Sequence, residues 1–219
     1  PKLVHFDEGV AQEICLSIEG GQQGSPLVPP AYGAVLNPIL KEFDSGLGED
    51  GLVRAIQDDV LIMGKRDKVL PRIKDFALAL EKIGGQLATG AGKNSVYCPA
   101  GPLEEGTFDD RLQQTKVVDE EGNESYGFEL CGAAIGQRGF IQSYLKSKVD
   151  KITAQILEHS KVMSEQDAQV AHALNRLSWQ AKPDYLIATH LRSDTDRIIA
   201  QLDETTRSAF AMALAVSPE

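Results

Sequence analysis

The chain has 219 residues, of which 42% are hydrophobic and 25% charged, and its formal net charge is -10. This length allows one domain, or one domain with a smaller helical appendage, around a substantial core. No apolar run could span a membrane and no secretory signal is visible, so an intracellular protein is expected. The charge argues against a generic nucleic-acid coating protein, because Lys and Arg bind most phosphate backbones.

The cysteines and histidines show no metal-ligating pattern. The three cysteines are far apart and lack CxxC spacing, so neither a zinc site nor a disulfide framework is expected. The four histidines form no HExxH pair and no cluster with cysteine. These residues are Cys15, Cys98, Cys131, His5, His159, His172 and His190.

The amino-terminal part predicts a strand, a glycine-rich turn and a helix. Apolar residues alternate over 14–18, and the segment 20–24 breaks this pattern. From Pro26 onward, apolar residues recur at helical spacing. Gly46 and Gly48 then predict the end of the helix.

A pair of aspartates is the most informative feature that follows. Asp58 and Asp59 stand between the apolar runs 52–56 and 60–63, which have the length and composition of strands. A hairpin that turns at the two carboxylates is predicted. Such carboxylates bind Mg2+, with phosphate oxygens completing the coordination shell. Because Asp is also an ordinary turn residue, a plain turn is the alternative.

A second helix and a second hairpin are predicted next. The apolar stripe over 67–83 predicts the helix, and a glycine pair stops it. The segment 86–110 predicts a loop with one short strand at 96–98. The runs 115–118 and 126–130 flank an acidic turn and predict the second hairpin.

Beyond Gly139 the sequence is helical in character, with three successive apolar stripes. We therefore predict a mixed α+β part over 1–140 and a helical part over 141–219. The predicted fold class is α+β.

The order of these motifs resembles a known family. Gln23-Gly24-Ser25-Pro26-Leu27 forms a QGxPL loop before a helix, followed by the aspartate hairpin, a helix, and a glycine-containing loop with Lys93. This order resembles the palm of reverse transcriptases, the RNA-directed DNA polymerases, especially those of non-long-terminal-repeat retrotransposons. The resemblance implies a palm-like antiparallel sheet packed on helices, followed by a thumb-like helical region.

The resemblance also implies a role for several residues. Asp58 and Asp59 correspond to the catalytic aspartates that hold Mg2+, or Mn2+, for phosphoryl transfer, and Asp58 is the strongest candidate. Lys93 corresponds to a lysine near the departing pyrophosphate. The residues implied to line the template and nucleotide pocket are Gln23, Gly24, Ser25 and Pro26. Leu130 and Gly132 lie in a segment that resembles the turn gripping the primer end.

Three positions depart from the family pattern. Ile56 stands where an aromatic residue is usual, and Ala88 stands where the lysine motif has Asn. The family also needs an earlier aspartate on a strand, whereas Asp7 follows no convincing apolar strand. The expected amino-terminal fingers and first catalytic motif are missing.

Three hypotheses remain open. The leading one is a part of a retroelement reverse transcriptase whose full-length form extends a DNA primer on an RNA template with deoxynucleotides. We expect the isolated chain to be inactive. The second is a non-catalytic reverse-transcriptase-derived scaffold or subunit of a larger assembly, which the negative charge favours. The third is a generic α+β domain.

Overall fold

The protein is a mixed α+β chain that divides into two compact units, Pro1–Ala88 and Thr89–Glu219. The computed structural model describes residues 2–7, 10–16, 26–56, 59–88, 92–174, 177–178, 181 and 183–214, and for residues 2–16, 163–166 and 213–214 the backbone alone. The predicted α+β class is confirmed. Among the described helices, none combines the length and the apolar character that crossing a membrane requires.

Among its described residues, the first unit contains two antiparallel hairpins and three α-helices. In chain order these are β1 (Lys2–Asp7), β2 (Val10–Leu16), α1 (Val28–Leu47), β3 (Gly51–Ile56), β4 (Asp59–Gly64), α2 (Arg66–Val69) and α3 (Ile73–Lys82). Asp7 is thus the last residue of strand β1, in register with Val10 of β2. The expectation that no strand precedes Asp7 was wrong, because backbone pairing with β2 forms a strand that the apolar pattern does not indicate.

Helix α1 confirms the predicted first helix and its end. A proline stands in its first turn. Backbone N–H groups in the first turn of a helix have no intrahelical acceptor, so the N–H that proline lacks costs the helix no hydrogen bond. The helix ends before Gly48, whose φ of 58° suits a residue without a Cβ. Leu36, Phe43 and Leu47 are buried and form the inward face.

The predicted second helix is two helices rather than one. The 3-10 segment Leu70–Arg72 separates α2 from α3 and contains Pro71. Proline lacks the N–H that a continuous α-helix requires at this point. The predicted apolar stripe nevertheless faces the core, since Ile73, Phe76 and Leu80 are buried. Gly84, with a φ of 78°, follows the end of α3 as predicted.

Helices α1 and α3 meet at an aromatic contact. The rings of Phe43 and Phe76 pack edge to face with centroids 5.3 Å apart. The guanidinium of Arg72 lies 5.1 Å from the centre of the Phe43 ring. A Cβ at Gly46 would come within 2.1 Å of this guanidinium, so the glycine makes room for it. These contacts support the two helices that flank the β3–β4 hairpin in sequence.

The described part of the second unit contains a three-stranded antiparallel sheet, in the order β5-β6-β7, and four α-helices. Its elements are β5 (Thr115–Val118), β6 (Glu124–Leu130), β7 (Ala133–Gly136), α4 (Arg138–Gln166), α5 (Ala168–Leu174), α6 (Asp184–Thr189) and α7 (Arg192–Leu214). The predicted second hairpin is confirmed as β5–β6. The predicted strand at 96–98 is wrong, because the pairing there is a single bridge between Ser95 and Gln113.

The sheet and the helices after it belong to the same unit, so the predicted boundary between residues 140 and 141 falls inside it. Phe140 near the start of α4 is buried, and a Cβ at Gly127 of β6 would lie 2.3 Å from its ring. Helix α4 therefore packs directly on the sheet. Farther along, α4, α6 and α7 share an apolar core. Its buried members are Leu145, Val149, Leu186, Ile198 and Leu202.

Candidate functional site

The β3–β4 hairpin carries the predicted aspartate motif. Its strands pair in antiparallel register from Gly51 with Gly64 to Ile56 with Asp59. The predicted hairpin is therefore present, but Asp59 is the first residue of β4 and pairs with Ile56, so it does not belong to the turn as predicted. Gln57 and Asp58, which separate Ile56 from Asp59 in the sequence, lie outside the described residues.

The base of this hairpin is attached to the end of α1. The backbone N–H of Val53 donates a hydrogen bond of 2.7 Å to Oδ1 of Asp44 in α1. The N–H of Lys65 donates to the carbonyl of Asp50 over 2.9 Å, and its Nζ lies 2.6 Å from Oδ1 of the same residue. The hydrogen bond and positive charge of Lys65 lower the pKa of the Asp50 carboxyl below its ordinary value. These contacts support both strands below the aspartate end.

The end of the hairpin that carries Asp59 is open to solvent. Asp59 is exposed, and Ile56 opposite it is 65% exposed. Hard cations such as Mg2+ are bound best by oxygen ligands, carboxylates among them. Among the described residues, no group of three or more His, Cys, Asp or Glu side chains is arranged to hold a metal ion. Metal binding by Asp58 and Asp59 remains a prediction.

The predicted template and nucleotide loop is described only at its end. Gln23, Gly24 and Ser25 lie outside the described residues. Pro26 is an exposed turn residue directly before α1, and Leu27 is 75% exposed. The described part of the QGxPL segment thus has the predicted position at the start of a helix.

The remaining predicted site residues belong to the second unit. Lys93 is exposed in a turn beside Gly92. Leu130 ends β6 and pairs with Ala133 of β7, so Gly132 lies in the tight turn between these strands. The structure brings Leu130 and Gly132 together, and the predicted roles of these residues and of Lys93 stay predictions.

Two tyrosines hold the β6–β7 turn. Cys131 and Gly132 both have positive φ, 49° and 82°. A two-residue hairpin loop with a type I′ turn requires positive φ at both positions. The hydroxyl of Tyr144 in α4 donates to the carbonyl of Gly132 over 2.7 Å. The hydroxyl of Tyr185 in α6 donates to the carbonyl of Cys131. Sequence reasoning missed both tyrosines, because neither stands in a motif.

His190, which follows α6, contacts the second residue of β7, Ala134. Its Nδ1 lies 2.8 Å from the carbonyl of Leu186, which can only accept, so Nδ1 carries the hydrogen. Its Nε2 accepts the backbone N–H of Ala134 over 3.1 Å. Of the two imidazole tautomers, this pair of contacts selects the one with hydrogen on Nδ1. The spacing of the histidines in the sequence contained no signal for this role.

The ring of Tyr144 contacts both a cation and an imidazole. The ammonium of Lys148 is 4.9 Å from the centre of its ring, and the ring of His190 stacks at 6.2 Å between centroids. Burial raises the pKa of the Tyr144 hydroxyl, so this group stays protonated and remains a donor. Lys148 also lies 3.4 Å from Oε1 of Glu129 on β6.

No family model matches the chain, and comparisons with curated proteins and with solved structures likewise gave no match. The resemblance to reverse transcriptases therefore depends on the residues and the order of the motifs.

Proposed function

We propose that this chain is the later palm and thumb-like region of a reverse transcriptase, and that Asp58 and Asp59 contribute to its Mg2+ site. The observation that carries the proposal is the register of the β3–β4 hairpin, which starts β4 at Asp59. In sequence this hairpin stands between a helix that follows the QGxPL loop and a helix that precedes a glycine pair. The described elements thus follow the order that the resemblance implies.

The chemistry would be phosphoryl transfer by two Mg2+ ions. One metal activates the primer hydroxyl, and both stabilise the charge that develops on the α-phosphate of the deoxynucleotide. Asp58 and Asp59 would ligate the metals through their carboxylate oxygens. The third carboxylate would come from another part of a longer polypeptide, because Asp7 lies only sixteen positions before Gln23. The chain alone should therefore bind a divalent cation weakly and extend no primer.

A non-catalytic scaffold derived from such a palm is the second candidate. Ile56 favours it, since this residue replaces the usual aromatic and is 65% exposed across from Asp59. The formal net charge of -10 also favours it, because a polymerase must hold the phosphates of a template and a primer.

Cation binding provides the first test. We expect Mn2+ to broaden the amide signals of Asp59 and Val60 selectively, because paramagnetic relaxation acts on nuclei near the bound ion. The variant Asp58→Asn/Asp59→Asn should lose this selective broadening. The variant Glu120→Gln/Glu121→Gln removes two carboxylates from the β5–β6 turn and serves as the control, with broadening at the hairpin unchanged. Equal broadening in the wild type and the aspartate variant would remove the metal site from the proposal.

Primer extension on an RNA template provides the second test. The full reading frame that contains this chain is assayed with Mg2+ and deoxynucleotides, beside its Asp58→Ala variant. Loss of the metal ligand should abolish extension. If the full frame extends primers equally well with Ala at this position, Asp58 has no catalytic role. If the full frame binds no primer and extends none, the scaffold candidate replaces the polymerase.

A further inference from the structure

A cleft of about 350 Å³ lies in the second unit between the sheet and the first half of α4. This volume is within the range of about 300–1,000 Å³ that is typical of small-ligand sites. Thr115 of β5 and Glu129 of β6 line one wall, and Ser143 and Ser147 of α4 line the other. None of these residues was a candidate in the sequence.

The architecture explains why the two walls face each other. Thr115 is paired with Gly127, and Glu129 lies two residues beyond Gly127, so their side chains share one face of the sheet. Gly127 admits the ring of Phe140 on that same face. Phe140, Ser143 and Ser147 recur at helical spacing and therefore share one face of α4. The cleft opens beside the buried phenyl ring.

The polar groups of the cleft are hydroxyls and one carboxylate. Oγ of Ser95 and Oγ1 of Thr115 lie 3.4 Å apart on one side. The carboxylate of Glu129 accepts hydrogen bonds only, whereas the serine and threonine hydroxyls can donate and accept. A matching ligand must therefore present hydrogen-bond donors to Glu129, and it can present either donors or acceptors to the hydroxyls.

The charges around the cleft favour a neutral ligand. Lys148 lies 3.4 Å from Oε1 of Glu129 and repels an ammonium group that approaches the carboxylate. Glu129 in turn repels a phosphate. Val117, Phe140 and the ring of Tyr144 supply apolar surface in the cleft, which suits the carbon face of a ring.

We infer that this cleft binds the vicinal diol of a neutral sugar ring, with Glu129 accepting from the diol hydroxyls and Ser143 and Ser147 contacting the ring oxygens. A ribonucleoside and a free monosaccharide both present this chemistry. The inference is independent of the aspartate hairpin, because every group that it uses belongs to the second unit.

Amide chemical shifts during titration test the site in the full chain. The probes are adenosine, 2′-deoxyadenosine and methyl glucoside at millimolar concentrations. We expect a ligand with a vicinal diol to shift the amides of Thr115, Glu129 and Ser143. We expect 2′-deoxyadenosine, which lacks the diol, to bind about tenfold more weakly than adenosine, because a hydrogen bond to the carboxylate is lost.

Variants on the two faces of the sheet distinguish binding in the cleft from unspecific binding elsewhere on the protein. Glu129→Gln and Ser143→Ala should each weaken binding of the diol, the first by about tenfold. Glu124→Gln is the matched control, because Glu124 stands on the same strand but on the opposite face of the sheet. This variant should bind as the wild type does, and amide spectra confirm that each variant is folded.

Each outcome decides the inference. Preference for adenosine supports the site with a nucleoside as its ligand, and preference for methyl glucoside supports it with a carbohydrate. The inference is overturned if 2′-deoxyadenosine binds at least as tightly as both adenosine and methyl glucoside, or if Glu129→Gln and Glu124→Gln have equal effects. It is also overturned if no probe shifts the amides of the cleft.

Discussion

The hydroxyl of Tyr144 donates a hydrogen bond of 2.7 Å to the carbonyl of Gly132, twelve residues earlier in the chain. This bond joins helix α4 to the turn between β6 and β7. Tyr185 makes the equivalent contact with the adjacent carbonyl of Cys131. The β6–β7 turn is thus held from two helices.

The variant Tyr144→Phe removes this hydrogen bond and keeps the ring. We expect the second unit to lose about 1 kcal/mol of unfolding free energy, the usual net value of such a bond. Denaturant unfolding followed through the amide signals of β6 and β7 measures the loss. Tyr32→Phe in α1 is the control, since Tyr32 is 44% exposed, and its effect should stay within about 0.5 kcal/mol. Equal effects of the two variants would contradict a structural role for the Tyr144 hydroxyl.

His190 should be the neutral tautomer with hydrogen on Nδ1 at alkaline pH. Long-range nitrogen-15 spectra of the imidazole distinguish the two tautomers. Replacing the ring in His190→Ala should increase hydrogen exchange of the Ala134 amide about fivefold, because its acceptor is lost. His172→Ala, which removes an imidazole that contacts Phe210, should leave that amide unchanged. Hydrogen on Nε2 would refute the assignment.

Two glycine substitutions should change the unfolding free energy in opposite directions. In Gly127→Ala the new Cβ would lie 2.3 Å from the Phe140 ring and 2.7 Å from the carbonyl of Ile135, so we expect destabilisation of about 1–3 kcal/mol. In Gly33→Ala on the exposed side of α1, no atom lies within 4 Å, and we expect stabilisation of about 0.5–1 kcal/mol. Unfolding of each unit, followed through its own amide signals, measures both. A neutral Gly127→Ala variant would contradict the close packing of α4 on the sheet.

The ion pair between Asp50 and Lys65 predicts a pH dependence at the base of the β3–β4 hairpin. The pKa of Asp50 is below its ordinary value of 3.8, since Lys65 donates to the carboxylate and attracts it. Its contribution to stability is therefore present above about pH 4 and is lost as the pH falls through the lowered pKa. The pKa of Lys65 is raised above 10.5, mainly by the same hydrogen bond, so its contribution is lost as the pH rises through that higher value.

The variant Lys65→Met should bring the pKa of Asp50 back towards 3.8. Carbon-13 detection of the carboxyl group during an acid titration measures this change. Lys74→Met, on the exposed side of α3, is the matched control and should leave the Asp50 titration as it is in the wild type. An unchanged titration in Lys65→Met would show that the ion pair does not form in solution.

Local patterns in the sequence predicted much of the first unit. The apolar run on each side of the aspartates predicted the β3–β4 hairpin, because side-chain alternation and turn residues act over a few positions. The same patterns predicted α1 and the end of α3 at a glycine with positive φ. Pro71 shows where the apolar stripe did not predict the helix correctly. The stripe continues across this proline, whereas the α-helix is interrupted there by a 3-10 segment.

The sequence by itself therefore determined the α+β class, the presence of the β3–β4 hairpin and the helical character beyond Gly139, all of which depend on neighbouring residues. Only the tertiary structure brought Tyr144, Tyr185 and His190 to the β6–β7 turn and set Glu129 opposite Ser143. The contact between His190 and Ala134 joins residues 56 positions apart. Such pairs follow from the packing of helices on a sheet, which no local periodicity of the sequence encodes.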